Sequence, residues 1–466
     1  MRFDSEFVAQ NIHGGTPRSI IGEITERIHM TTHIPITEPD VLWCYRTFLG
    51  REPESAAAVK AHVVPNRDLR HLIQSFVCSA EFQESLNRNN QEDYAHADGK
   101  TISPSNNSQL ADAEFKAGVL VARSSPTLMT IESSSKCNLR CVMCPHSIGA
   151  VNRPRFLDDD IAKKLEVVIR QSSALQLHGI GEPLLSPSFW KFLDLVAVET
   201  DASVNSNFVV LTDENISKLL SSNLKMINVS LDAARQETYL KIRGQPLDKT
   251  VENIRKLIAE RNSRHQEYPH VRINMTLMRS NIEETLEFVE LARSLGVDAI
   301  HFWHLNKWPE AEMQMYRTKR DGWEFDYKSE GLWNFPELSD NYLRQALDLA
   351  RQYQIKVLHF DASGDDIDNL FFSARTTEDA VETVKDCSAP WTWAMVTADG
   401  DVRPCCHARQ TLGNLGGSSF NTVWNGRTAI ELRRSIKENK LHPICHDATA
   451  CRLVRNTRRE LGIDAP

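Results

Sequence analysis

The chain is sparing with the residues that interrupt a fold: 20 glycines and 19 prolines in 466 positions, below the usual combined share of about 12%. That excludes collagen-like and low-complexity architectures. Long apolar runs are also missing. Short stretches such as 119–122 fall far below the roughly 18 consecutive apolar residues of a membrane helix, so no membrane span is expected. The opening segment MRFDSEFVAQNIHGG has no apolar core flanked by small residues and does not read as a secretory signal. Positive charge is not in excess: 54 Lys and Arg face 62 Asp and Glu, a net charge of −8. A general nucleic-acid binder needs a basic surface to neutralise phosphates, so nucleic acid is not an expected partner. These absences place the chain in the cytoplasm, where thiols stay reduced and cysteines serve as metal ligands or catalysts rather than disulfides.

The composition is that of a globular protein, 41% hydrophobic and 25% charged, and its length suits about three domains. Residues 1–87 read as a small helical domain, with Val41, Leu42, Tyr45, Phe48 and Leu49 and then Leu69, Leu72, Ile73, Phe76 and Val77 at helical spacing. With its FLGREP and SFVCSAEFQ segments it resembles a short uncharacterised helical domain joined to glycan-processing enzymes. Residues 88–115 are polar and without period, a linker pattern. From 116 to 310 short apolar runs (128–132, 175–179, 202–205, 226–231, 271–277 and 299–305) alternate with amphipathic stretches such as 251–261 and 283–295. The second of these follows Ser280 and Glu283 at capping-box spacing. The expected fold class is α/β, a parallel partial (β/α)6 barrel. Residues 311–380 form an aromatic-rich insertion with connecting helices, and 381–466 a small cysteine-rich domain.

Eight of the ten cysteines fall in two clusters, with Cys44 and Cys78 apart in the N-terminal part. Cys137, Cys141 and Cys144 make a C-x3-C-x2-C loop directly after the first strand. Such a loop can place three thiolates on three irons of a cubane and leave the fourth iron open to a small molecule. A structural zinc site, with His146 as fourth ligand, is the alternative. The loop's place at the C-terminal end of a strand, where α/β folds collect ligands, favours the cluster.

These cysteines, followed by GIGEP at 179–183 after the next strand, resemble the radical S-adenosylmethionine (radical SAM) superfamily over about residues 126–310. The resemblance implies a [4Fe-4S] cluster on Cys137, Cys141 and Cys144, with S-adenosylmethionine chelating the open iron. Met143 stands where many members carry an aromatic, and it would pack the adenine. Gly181, Glu182 and Pro183 match the segment that receives the cofactor's amino group. Asn205 stands in Asn205-Ser-Asn207, where the family usually shows Thr-Asn-Gly, and would reach the ribose. Ser230 and Asp232 suit the ribose hydroxyls or the polar end. Arg243 would meet the carboxylate, against the alternative of an ion pair at a helix end.

A second thiol set lies downstream: Cys387, then Cys405 and Cys406, then Cys445 and Cys451. Asp399-Gly400 between two apolar runs predicts a hairpin that brings Cys387 and Cys405 together. The segment resembles the SPASM/twitch extension of radical SAM enzymes. Cys387, Cys405, Cys445 and Cys451 would hold one auxiliary [4Fe-4S] cluster, although spacing does not choose between Cys405 and Cys406. A zinc staple is the alternative.

Substrate chemistry is marked less sharply. His301 and Trp303 should share one strand face, and Phe302 and His304 the other. His301 and His304 are acid/base candidates, against the alternative that one or both only hydrogen-bond within the core. Seven aromatics crowd residues 308–335 (Trp308, Tyr316, Trp323, Phe325, Tyr327, Trp333 and Phe335), a quarter of that stretch against 8% overall. They form either a stacking lid or a satellite core. The tail Arg452, Arg455, Arg458 and Arg459 is a solvated helix face or an anion site. The reading that results is a radical enzyme that oxidises a sugar- or cyclitol-like hydroxyl compound, with the auxiliary cluster as electron acceptor and a reducing electron-transfer protein as donor. One alternative is a peptide maturase that crosslinks or epimerises, with Cys406 as hydrogen donor. The other is a non-catalytic iron–sulfur or zinc-stapled binding protein.

Overall fold

The computed structural model describes residues 36–49, 51–64, 71–72, 75–76, 79, 102–307, 310–358, 370–373, 382–448 and 451–462. The chain divides into two compact units, 1–100 and 101–466. In the first, helices Glu38–Phe48 and Ala56–His62 bury Val41, Cys44, Tyr45 and Val59 with Leu72 and Phe76. Helical spacing puts these apolar residues on one side, as expected. Leu69, Ile73 and Val77 lie outside the described residues.

The second unit is organised by one sheet. Strands β1 (Leu128–Ile131), β2 (Ala174–Leu177), β3 (Asp201–Ser206), β4 (Met226–Ser230), β5 (His270–Leu277) and β6 (Ala299–His304) lie side by side in chain order and all parallel. Each is followed by helix because a parallel neighbour requires a crossover. Alternation along the strands sorts the side chains. Met129, Ile131, Leu175, Leu177, Val204, Ile227, Val229, Ile273, Ile300 and Phe302 go into the core shared with the helices. Helix Asp159–Gln171 contributes Ile161, Leu165, Val168 and Ile169, and helix Leu247–Ser263 contributes Val251, Ile254, Leu257 and Ile258. Each such aliphatic side chain stabilises by about 1.5–3 kcal/mol when fully buried. The helix Thr285–Leu295 has no side-chain cap. Glu283 pairs with Arg279 instead, so the expected capping box does not form.

Six strands do not complete the sheet. β9 (Lys356–Leu358) adds in parallel beside β6 after helix Pro336–Gln352. β10 (Trp393–Val396) adds in parallel on the opposite edge, with Leu128 opposite Trp393 and Ile131 opposite Val396. β11 (Asp401–Arg403) and β12 (Gly413–Asn414) continue the sheet antiparallel. The predicted Asp399-Gly400 hairpin joins β10 to β11, with Gly400 at φ 82°. The cysteine-rich region is therefore built onto the barrel sheet rather than attached as a bead. β7 (Arg317–Arg320) and β8 (Trp323–Asp326) form a separate two-stranded hairpin.

Part of the expected linker is helical, from Pro104 to Ala117. Ser103 caps it by accepting from the Asn106 N–H. Its buried face carries Asn107, Ala111 and Glu114. Asn107 Nδ2 donates to the carbonyls of Ser125 and Gln171 at 3.0 and 3.1 Å. A helix held by polar contacts leaves no apolar period in the sequence. The segment after it is stapled to the cysteine-rich region. Trp391 Nε1 donates to the Val119 carbonyl at 2.7 Å, Trp424 Nε1 donates to that of Ser124 at 3.1 Å, and the fully buried Arg433 donates to that of Leu120 at 2.9 Å.

The aromatic insertion is a satellite core and not a stacking lid. Met313, Phe325 and Tyr327 are buried with Val142, Ile242, Met278 and Leu305, and Tyr316, Trp323 and Trp333 pack against them. Trp308 lies outside the described residues. Among the described residues no helix is long and apolar enough to cross a membrane.

Trp424→Ala removes a fully buried indole and its hydrogen bond. The expected cost is about 3–5 kcal/mol, read as a lowered urea midpoint of the intact protein under anaerobic conditions.

Candidate iron–sulfur and cofactor site

β1 ends at Ile131, and the chain turns through 132–136 into the three-cysteine loop. Two glycines of the 179–183 loop are dictated by packing against that turn. A Cβ on Gly181 would stand 2.2 Å from the Ser134 carbonyl oxygen, and one on Gly179 would stand 2.3 Å from the Glu132 side chain. Only glycine lets the two loops lie backbone to backbone.

The three thiols are gathered within electrostatic reach of one another. Burial pushes Cys144 up to about 11, with Cys141 and Cys137 adding to the shift. Burial likewise raises Cys137. The Leu139 N–H and Asn207 Nδ2 donate to Cys137 Sγ at 3.4 and 3.8 Å, and Arg243 Nη1 donates to Cys141 Sγ at 3.4 Å. N–H donors aimed at sulfur suit thiolates that carry cluster charge. Among the described residues no three His, Cys, Asp or Glu side chains are drawn to the spacing of a single ion. The residues present fit a cluster with thiolates on separate irons.

The other residues matched to cofactor contacts make defined contacts within the protein. Glu182 is turned into the protein. Its carboxylate accepts from Ser206 Oγ at 2.7 Å, the Asn207 N–H at 2.8 Å and the Leu184 N–H at 3.1 Å. Burial raises its pKa, and these donors oppose the shift. Glu182 therefore shapes the loop, while Pro183 is buried at the start of the short turn Pro183–Leu185. The structure pairs Arg243, at the end of helix Gln236–Arg243, with Asp232 at 2.5 Å, the ion pair at a helix end that stood as the alternative for Arg243. The other Asp232 oxygen accepts from the Thr276 N–H at 2.7 Å. A buried carboxylate and guanidinium satisfy each other's charge more cheaply than either does alone. Burial works against the charge on Arg243, yet Asp232 and Cys141 hold it protonated well above the usual range. Met143 packs against the satellite core rather than standing alone. Asn205 accepts from Asn228 Nδ2 at 2.8 Å, and Asn207, two positions on, is the residue that touches the cluster loop. Ser230 is half-buried at the end of β4.

Glu132 was missed by the sequence reading. It is 5% exposed, and its two carboxylate oxygens accept from the Ile180 N–H at 2.7 Å and the Ala398 N–H at 3.0 Å. Its own N–H donates to the Val396 carbonyl at 2.8 Å. One side chain thus joins β1, the 179–183 loop and the β10–β11 hairpin. Nothing in its sequence neighbourhood marks it, because its partners are backbone groups from remote segments.

The second thiol set also converges. Burial raises Cys387 strongly, with Cys405, Cys451 and Cys445 contributing, and pushes Cys405 and Cys445 up to about 11 and about 12. Cys406 interacts with Cys405 and Cys451 but is not among the groups acting on Cys387, and its residue surface is exposed. Cys387, Cys405, Cys445 and Cys451 thus act electrostatically on one another, with Cys406 beside Cys405 and Cys451.

The strand faces opposite the helices carry polar side chains. Register aligns Asn205, Asn228 and Arg272, and then Ser230, Asn274 and His301. Gln176 accepts from Thr130 Oγ1 at 3.1 Å on the same face. His301 and Trp303 meet edge to face at 5.4 Å. His304 lies on the other face, against Phe372 at 4.7 Å, with Nε2 2.8 Å from the Leu370 carbonyl. His301 and His304 thus lie on opposite faces, as strand alternation predicts. In the tail helix Arg452–Glu460, Arg452 pairs with Glu382, and Arg458 donates to the His446 carbonyl.

A parallel barrel that carries an open three-thiol loop at its first strand and a thiol quartet welded to its edge defines a class, the iron–sulfur enzymes that act on S-adenosylmethionine. Residues 131–292 match the Radical SAM superfamily, and residues 387–452 match the SPASM iron-sulfur cluster-binding domain. The chain belongs to the radical SAM superfamily and is an enzyme with a SPASM extension. Its cofactors are a [4Fe-4S] cluster, S-adenosylmethionine and auxiliary iron–sulfur chemistry. It is 24% identical over 329 residues to the AdoMet-dependent heme synthase of Methanosarcina barkeri, covering 69% of this chain and 88% of that protein. It is 25% identical over 327 residues to the mycofactocin maturase MftC of Mycolicibacterium smegmatis, covering 69% and 74%. The structure of Streptococcus suis SuiB bound to its precursor peptide SuiA superposes with a TM-score of 0.52 at 16% identity, covering 83% of this chain and 84% of that one.

Glu132→Gln replaces one acceptor oxygen with an N–H donor that faces another N–H. S-adenosylmethionine affinity should fall about tenfold, the loss of one charge-assisted hydrogen bond. Anaerobic equilibrium dialysis measures it, with iron content unchanged.

Proposed function

We propose that the enzyme removes a hydrogen atom from a hydroxyl-bearing carbon of a sugar- or cyclitol-like substrate held in the barrel lumen, and oxidises that carbon to a carbonyl. The carrying observation is the chemistry of the lumen wall. Asn228 Oδ1, Asn274 Oδ1 and His178 Nδ1 are buried and have no hydrogen-bond partner among the described residues. Buried acceptors without partners cost about 1–3 kcal/mol each, and a substrate offering O–H groups relieves that cost.

When bound, the first cluster with S-adenosylmethionine supplies a 5′-deoxyadenosyl radical, and the auxiliary cluster supplies an electron acceptor. The chain's own part is binding, orientation and proton handling. The amides of Asn228 and Asn274 orient the hydroxyls. His178 is held neutral because burial pushes its pKa down to about 4, so it binds the substrate without adding charge. His301, buried on the same face, accepts the hydroxyl proton. The net change is loss of one hydrogen atom, one proton and one electron, which converts an alcohol to a ketone. A reducing electron-transfer protein supplies the electron that starts each turnover.

Peptide maturation is the second reading. Cys406 favours it, lying beside Cys405 and Cys451, as do the maturase MftC and the precursor-peptide complex of SuiB among the similar proteins. In that reading Cys406 donates a hydrogen atom to a peptide radical.

Dithionite and S-adenosylmethionine should yield 5′-deoxyadenosine from the anaerobic holoprotein, and Cys144→Ala should abolish it. Incubation with extracts of neutral polyols should give a product lighter by two hydrogen atoms. A product of unchanged mass that takes up solvent deuterium, lost in Cys406→Ala, overturns the oxidation in favour of epimerisation.

A further inference from the structure

The insertion between β6 and β9 does more than fill space. We propose that the β7–β8 hairpin is a clasp on the first cluster loop, and that Arg320 is a positioning residue for the cluster held by Cys137, Cys141 and Cys144.

Arg320 is the last residue of β7, opposite Trp323, and the turn Asp321-Gly322 has φ of 48° and 78°. That turn throws the guanidinium back toward the barrel. Nη1 donates to the Lys241 carbonyl at 2.8 Å and reaches the Leu240 carbonyl at 3.5 Å, and Nη2 donates to the Arg140 carbonyl. The first two belong to the C-terminal turn of helix Gln236–Arg243, where the Leu240 carbonyl also accepts the Gly244 N–H at 2.9 Å and the helix dipole favours a cation. The third belongs to the residue immediately before Cys141.

Other contacts close the clasp. The Val142 N–H donates to the Ile242 carbonyl at 3.0 Å. Val142 and Ile242 share a buried cluster with Phe325 and Tyr327 of the hairpin segment. Arg317 and Asp326 brace the hairpin by an ion pair at 2.7 Å. A Cβ on Gly244 would lie 2.9 Å from the Arg320 guanidinium carbon, so the glycine that ends the helix also admits the arginine. The middle of the C-x3-C-x2-C loop is thus fixed from outside by two segments, neither of which supplies a ligand.

Two consequences separate this role from general stability. A fixed loop holds its thiolates at the spacing the cluster needs, so iron leaves more slowly. A guanidinium one residue from a ligand also favours the more negative, reduced cluster, which raises its potential. Both effects are confined to the first cluster.

The test uses the full-length holoprotein and needs no substrate. Wild type, Arg320→Gln and Arg320→Lys are reconstituted anaerobically to about eight irons per chain. Iron loss to a chelator is followed by absorbance, and each cluster is titrated by electron paramagnetic resonance. In R320Q the first cluster should be lost about tenfold faster and its potential should fall, while the auxiliary cluster is unchanged. R320K keeps the charge without the planar fork, so its potential should stay near wild type while its cluster is still lost faster. A loss rate for R320Q within about twofold of wild type, equal loss of both clusters, or an unmoved potential in R320Q overturns the proposal. Failure of the alcohol-oxidation reading would leave these outcomes unaffected.

Discussion

The carboxylate of Glu132 sits where three remote segments meet, and the arrangement of the site depends on it. It continues β1, accepts one N–H from the 179–183 loop, and accepts a second from the hairpin between β10 and β11. The in-register parallel pairing of β1 with β10 brings the second acceptor contact within reach. A buried carboxylate can be kept in such a place because backbone N–H groups satisfy it. The 179–183 loop and the auxiliary-cluster region therefore share one anchor instead of communicating through a flexible joint.

A division of labour between sheet faces follows from strand geometry. One face packs Ile, Val, Leu and Phe side chains under the helices and supplies the folding energy. The other carries Asn, Gln, Ser, Arg and His, which would be poor core residues. A single chain can build both because the side-chain period of a strand is two. The polar face is tolerable because amides pair across strands, as Asn228 does with Asn205, and the proposed polar substrate would engage the acceptors that remain.

Charge around the first cluster loop is likewise arranged by neighbours. Arg243 lies between Asp232 and Cys141. This contact set explains why a buried guanidinium is retained beside the thiols. Asp232 takes a left-handed backbone conformation, at φ 64°, a strain of the kind found at functional sites. The Thr276 N–H on one oxygen and the Arg243 ion pair on the other hold it there.

Much of the architecture was legible in the residues. The thiol triplet, the 179–183 glycines, six strand runs and the Asp399-Gly400 turn are local patterns, and local physics forms them: alternation, helical period and turn chemistry. The helix Pro104–Ala117 was hidden because its buried face is polar, and β9 because three residues carry no period. The contacts of Glu132, Asn207 and Arg320, the pairing of Asp232 with Arg243, and the closeness of Cys405 rather than Cys406 to Cys387 were decided only by the tertiary structure. Each depends on which distant backbone groups and side chains the sheet order brings together, and a carbonyl or an N–H looks the same at every position of a sequence.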